Sequence, residues 1–176
     1  MARSFRLVAG SPGCYVSGMS SERLMTSWSE YDGAIGEVLS IAGHSLAVFD
    51  HDLVSLKLET PERHEALAAF LRRPQAQLRI AVQSSRPVLQ HSPRLIALLR
   101  LHAHNFQLIE TPPHLAGLSD SLLLADGETA VVRFHRDHAR SKVIVGDAEA
   151  CKPYGKRFEE IWNEGGTPLS ATTLGL

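Results

Sequence analysis

Three short apolar runs constrain the fold most: Ser45-Leu-Ala-Val-Phe49, Leu78-Arg-Ile-Ala-Val82 and Phe106-Gln-Leu-Ile-Glu110, each emptying into polar residues. Runs of this length suit strands covered on both faces, and they are too short to stand as core helices. Helical spacing precedes each of them. Ser29 is placed to cap a helix carrying Ala34, Ile35, Val38, Leu39 and Ala42 on one face, with Gly43 as its stop. Thr60-Pro61-Glu62 offers a cap, a proline suited to the first helical position and an acid at the positive end of the dipole; Ala66, Leu67, Phe70 and Leu71 form its stripe, and Pro74 ends it. Ser92-Pro93 repeats that start before Leu95, Leu98, Leu99 and His102. Helix and strand alternating three times predict an α/β domain of three layers, α-β-α, with right-handed crossovers.

The second half changes pattern. Ser121-Leu-Leu-Leu-Ala125 and Thr129-Ala-Val-Val-Arg-Phe134 flank Asp126-Gly127-Glu128, which predicts a tight hairpin and makes the central sheet mixed. Lys142-Val-Ile-Val145 suits one further strand. Phe158, Ile161 and Trp162 mark a final helix whose start is obscured by Pro153 and Gly155. The expected core comprises Leu46, Val48, Phe70, Ile80, Val82, Leu98, Leu108, Leu123, Val131, Phe158 and Trp162. Residues 1–28 read as a flexible extension rich in Ser and Gly, 29–164 as the domain and 165–176 as a tail.

With 44% apolar and 21% charged residues in 176, the chain has the composition of a folded domain, and it holds no uncharged apolar run of membrane-spanning length. A net charge of -1 excludes a globally polyanion-seeking protein. Charge is uneven along the chain, however. Residues 133–157 hold seven basic and three acidic side chains, against five and nine in residues 1–65. Cys14 and Cys151 are too few for a disulfide scaffold or a thiolate metal site, and the start of the chain lacks the apolar core of a secretion signal. A reducing cytoplasm is expected.

In a largely parallel sheet, ligands bind beyond the carboxyl ends of the strands. Those ends carry Asp50, His51 and Asp52, then Gln83, Ser84 and Ser85, then Glu110, which together form a candidate crevice. The nine histidines include two close pairs, His102 with His104 and His135 with His138, but no H-E-x-x-H or Cys cluster accompanies them, so no metal is expected. Glycine-rich nucleotide loops and a serine-hydrolase elbow are missing as well, and no cofactor is expected.

The order of elements and the stretch Ser119-Asp120-Ser121-Leu-Leu-Leu-Ala-Asp126-Gly127 resemble the phospholipase D-like superfamily, in particular uncharacterised bacterial members with a single degenerate motif. Working members carry His-x-Lys, then Asp after four residues, then Gly-Ser, and later an apolar helix ending in aromatic residues, to which Arg157-Phe-Glu-Glu-Ile-Trp162 is similar. The resemblance spans residues 29–164. It places Ser119 at the histidine nucleophile, Ser121 at the lysine and Asp126 at the aspartate, with Gly-Ser replaced near Arg133-Phe134. Serine supplies neither the imidazole nucleophile nor the cation, so the resemblance implies a domain without phospholipase D-type catalysis. Arg133, His135, Arg136 and Arg140 are then the candidate anion-binding groups.

The expected function is a non-catalytic binding or regulatory domain recognising a phosphate-containing or other anionic ligand, or a partner protein. The alternatives are a hydrolase or acyl-transfer enzyme built on His51 or His135, and a protein-interaction domain. Single-motif relatives that pair their motifs imply a homodimer. Near-neutral overall charge and the lack of a recognisable nucleic-acid module rank nucleic acid below the other ligands.

Overall fold

The computed structural model describes residues 20–169. Apolar runs become the centre of a single eight-stranded sheet in the order β1-β7-β6-β5-β2-β3-β4-β8. The strands are β1 (Ser21–Met25), β2 (Ser45–Asp50), β3 (Gln77–Val82), β4 (Phe106–Glu110), β5 (Ser121–Ala125), β6 (Thr129–Arg133), β7 (Ser141–Val145) and β8 (Thr167–Pro168). Strands β2, β3 and β4 run parallel, whereas β5 pairs antiparallel with β2 and opens an antiparallel series through β6, β7 and β1. The sheet is therefore mixed, as expected.

Period-two alternation divides its side chains between two cores. On one face Leu46, Val48, Ile80, Val82, Leu108, Leu123 and Val131 meet helices α1 (Trp28–Ile41), α2 (Pro61–Leu71) and α4 (Pro93–Leu101). On the other, Phe49, Ala81, Leu122, Leu124 and Val132 meet α5 (Ala148–Asn163) through Cys151, Phe158 and Ile161. The arrangement is the three-layer α-β-α domain. A short helix, α3 (Arg86–His91), precedes α4 and was not anticipated, because Pro87 and Pro93 disguise six residues as a loop.

Several local expectations need correction. Ser27, not Ser29, caps α1, in a reciprocal box with Glu30 that satisfies amides at both positions. Strand β1 and Trp28 lie within the stretch read as an extension, so the sheet takes in Ser21–Met25, and β8 draws residues 167–168 of the supposed tail against β4. Residues 1–19 and 170–176, including Cys14, lie outside the described residues. Asp147 caps α5, which runs through Pro153 near its start, where a single lost amide bond is tolerated. Trp162 is only partly buried: it stacks on Phe158 with centroids 5.7 Å apart, under the Arg79 guanidinium that Glu159 holds.

Carboxylates distant in sequence complete other backbone termini. Glu59 accepts the amides of Arg94 and Leu95 at the start of α4, where Ser92 makes no side-chain cap. Among the described residues no helix is long and apolar enough to cross a membrane.

Candidate functional site

The pairing directions bring the carboxyl ends of β2, β3 and β4 to one edge, together with the start of β5, the end of β6 and the start of β7. This edge gathers most of the candidate residues, and they sort into three groups.

Asp50 and Arg133 form the first. Each ends an otherwise apolar strand, β2 and β6, and the register of β5 between them sets them across Ser121. Arg133 donates from Nη2 to Asp50 Oδ2 at 3.1 Å and from Nε to Ser121 Oγ at 3.2 Å. Both charged side chains are buried, Asp50 at 0% and Arg133 at 3% exposure. The guanidinium also lies over the rings of Tyr31 and Trp28, at 5.1 and 5.5 Å. Burial pushes the Tyr31 phenol up, and Arg133 pulls against it. Asp50 Oδ1 accepts the amides of Asp52 and Leu53, holding Leu53 in a left-handed conformation at φ 66°. Arg133 was expected to face an anion. The structure instead gives it an internal anion and closes it between aromatic rings, so its charge is consumed within the protein.

The second group is half-buried, apart from one exposed guanidinium. Gln83, just past β3, donates from Nε2 to the carbonyls of Leu115 and Leu118, both at 2.8 Å, which turns its Oε1 to His51 Nδ1 at 2.9 Å. The guanidinium of Arg136 lies beside the same imidazole, with Nη1 3.2 Å from Nδ1. Arg136 is exposed, and its own amide donates to the Ser119 carbonyl at 2.7 Å. Ser119 thus serves through its backbone to set Arg136 in place.

The third group consists of backbone supports. Glu110 accepts the Ser85 amide at 2.8 Å, and the Ser84 amide donates to the His51 carbonyl at 2.9 Å. Asp52 accepts the Val54 amide in a local turn. His135 accepts the Asp137 amide on Nδ1 and stays half-buried. The Arg140 carbonyl accepts the Phe134 amide, and its side chain is exposed.

Asp126 does not join them. It sits in the β5–β6 turn at the opposite edge, with φ 55°, and its carboxylate accepts the amides of Gly43, His44 and Ser45 at 2.6 to 2.8 Å. Burial opposes its ionisation, but these amides and nearby His44 outweigh burial and hold the carboxyl below its usual range. The stretch Ser119–Asp126 is therefore split: Ser119 and Ser121 stand at the site edge, while Asp126 ties the segment between α1 and β2 to the β5–β6 turn.

Among the described residues no group of three or more His, Cys, Asp and Glu side chains could hold a metal ion. Cys151 is buried on the sheet-facing side of α5, where burial pushes its thiol up to about 11. A groove of about 530 Å³ between α1 and α2 is lined by Gly33, Gly36 and Ala66 together with Asp32, Lys57 and Arg63.

Sequence reasoning missed Trp28 and Tyr31 as the walls around Arg133. Tyr31 stands three and four positions before Ala34 and Ile35, so extending the helical stripe by one turn would have found it. The Asp50–Arg133 pair also had a signal, since opposite charges ending apolar runs in a buried sheet need each other.

Comparison with solved structures establishes the phospholipase D-like fold. The archaeal chromatin protein TrmBL2, described with a novel mode of DNA binding, superposes with a TM-score of 0.61 at 14% identity, over 83% of this chain and 54% of its own. The present chain thus spans about half the length of that protein. Nuc, a phospholipase D family member from Salmonella typhimurium, gives 0.58 at 14% identity, covering 87% of this chain and 100% of its own; NucT from Helicobacter pylori gives 0.57 at 8%, covering 86% and 100%. At these identities the likeness concerns fold alone. No curated protein matches the chain. The expectation that ranked nucleic acid below other partners is corrected by TrmBL2, since a DNA-binding protein carries this fold. Net charge describes the whole chain and is a poor guide to one edge of a sheet. The model of the family described as Domain of unknown function (DUF7931) matches residues 28–170, and the chain belongs to that family.

Proposed function

We propose that this chain is a non-catalytic phospholipase D-like domain that recognises a phosphate-containing ligand at the carboxyl edge of its parallel strands. The observation that carries this reading is the fate of charge at that edge. Arg133, the cation nearest the serine that stands for the motif lysine, is buried against Asp50, whereas Arg136 stays exposed beside His51. A guanidinium donates in parallel to two phosphate oxygens without taking part in bond breaking. Ser119 and Ser121 supply neither nucleophile nor charge. Polynucleotide phosphate is among the ligands to be tested, because TrmBL2 shares the fold.

The test has two arms. Purified protein is incubated with an activated phosphodiester, and it is titrated with a fluorescent oligonucleotide and with inorganic phosphate. The reading expects no turnover, with binding of one of these phosphates that weakens several-fold in Arg136→Gln. Turnover that persists through repurification and disappears in His51→Ala would replace it with a hydrolase.

A further inference from the structure

Nine Phe, Trp and Tyr rings lie among the described residues, and two of them are exposed: Trp28 at 49% and Phe134 at 41%. Both stand at the edge proposed to take phosphate. Phe134 directly follows Arg133 at the end of β6, and the Arg133 guanidinium lies over the Trp28 ring at 5.5 Å. Trp28 opens α1 behind the Ser27–Glu30 capping box, and the ring of buried Tyr31 meets it edge-on, 6.0 Å away at 81°. With a buried cation against one face and Tyr31 at its edge, the indole is pinned and offers its other face to a flat partner. Phe134 belongs to a loop tied at two points: its amide donates to the Arg140 carbonyl at 3.2 Å, and the Arg136 amide donates to the Ser119 carbonyl at 2.7 Å. That loop also carries the exposed side chains of Arg136 and Arg140.

Exposed rings beside exposed guanidinium groups are the means by which single-stranded nucleic acid is held, the cations following the backbone and the rings taking the bases. The reach is suitable. Three residues from Arg133 to Arg136 span at most about 11 Å, well inside the shortest sites of this kind, about four nucleotides. A duplex keeps its bases stacked on one another and offers them no face, and inorganic phosphate has no ring at all. An anionic membrane would also accept apolar and cationic groups, and Val54 and Leu89 are exposed on the connections that leave β2 and β3. Such a surface is drawn by about four to eight Lys or Arg together, however, whereas here exposed Asp137 stands between Arg136 and Arg140. We infer that the phosphate at this edge belongs to a single-stranded polynucleotide, with Arg136 on its backbone and Trp28 and Phe134 stacking its bases. This inference rests on the phosphate reading given above.

The experiment compares, by fluorescence anisotropy at physiological salt, a short oligothymidylate with an abasic strand of the same length and charge and with a duplex of that length. One stacked base corresponds to about fivefold or more in affinity, so the unaltered protein should prefer the oligothymidylate to both by at least that factor. Trp28→Leu and Phe134→Leu keep apolar bulk and lose the ring; each should bring the oligothymidylate towards the abasic strand, whose own affinity stays unchanged. Arg136→Gln should weaken both strands. In Trp162→Phe the one remaining tryptophan is Trp28, and its emission should be quenched by the oligothymidylate and not by the abasic strand. Equal binding of the two strands, or tighter binding of the duplex, still weakened by Arg136→Gln, would overturn the inference and leave the phosphate reading standing. Binding of phosphatidylserine-containing vesicles without binding of the oligothymidylate would overturn it in favour of a membrane. No binding of strand, duplex, inorganic phosphate or vesicle would overturn both readings. The comparison of strands uses the unaltered protein, so the outcome does not depend on a variant folding.

Discussion

Replacing Asp50 by Asn perturbs a single charge and leaves the side chain's shape in place. Asparagine Oδ1 can still accept the Asp52 and Leu53 amides that Asp50 holds at 3.1 and 3.0 Å, so the loop after β2 keeps its anchor. What disappears is the anion facing Arg133, at a position where the guanidinium is 3% exposed. Removing one partner of a buried pair costs about 3 to 5 kcal/mol, because the other charge stays desolvated without compensation. Two features of this site moderate the loss. Ser121 Oγ still accepts from Nε, and the Tyr31 and Trp28 rings still face the cation, a contact of about 1 to 2 kcal/mol in a desolvated setting. The expected cost is therefore near the lower end, about 3 kcal/mol, or roughly 6 to 12 °C in Tm for a chain of this size. Urea unfolding followed by far-UV circular dichroism reads it as a fall in midpoint at constant slope. Arg133→Met should cost a similar amount by stranding the carboxylate. The Asp50→Asn/Arg133→Met double variant should recover most of one loss, since neither buried charge then remains. A loss below about 1 kcal/mol for Asp50→Asn, or strictly additive losses in the double variant, would refute the claim that Arg133 is neutralised internally.

Three further outcomes are expected. Asp126, with its carboxyl held below the usual range, contributes stability that is complete above its unfolded pKa of about 3.9 and is lost as pH falls through the lower folded value. Asp126→Asn should cost about 2 to 4 kcal/mol at pH 7 and flatten the acid limb of a stability–pH curve, and an unchanged limb would contradict the three-amide contact. Cys151, with its thiol pushed up to about 11, should resist alkylation at pH 8 until the chain is unfolded, and rapid labelling of Cys151 in the native protein, located by peptide mapping, would contradict its burial. Trp162→Ala should lower stability by about 2 kcal/mol, less than for a fully buried indole, and its calorimetric Tm should fall accordingly.

The fold was legible because its strands are too short and too apolar to be read otherwise, and because Asp126-Gly127 takes up positive φ at both residues in the tight turn that the Glu128 amide closes on the Ala125 carbonyl. Helix boundaries were less legible where side chains far off in sequence supply the caps. Glu59 does so for α4, and no local pattern announces a partner 35 residues away. The site was legible as an edge, since the polar ends of the strands pointed to it. Its division of labour was not. Whether an arginine faces a ligand or a buried aspartate depends on strand register, and Asp50, Ser121 and Arg133 meet only because β5 separates β2 from β6. The same register carries Asp126 to the far edge, although it lies only five residues from Ser121 in the sequence.

The central claim is that the exposed Arg136, and not the buried Arg133, meets a phosphate. The salt dependence of oligonucleotide affinity tests it most directly, because each phosphate neutralised by the protein adds about one unit to the slope of log K against log salt. The account predicts that Arg136→Gln lowers the steepness by about one unit relative to the unaltered protein, while the folded Asp50→Asn/Arg133→Met variant keeps it. A slope unchanged in Arg136→Gln and reduced in the double variant would contradict it.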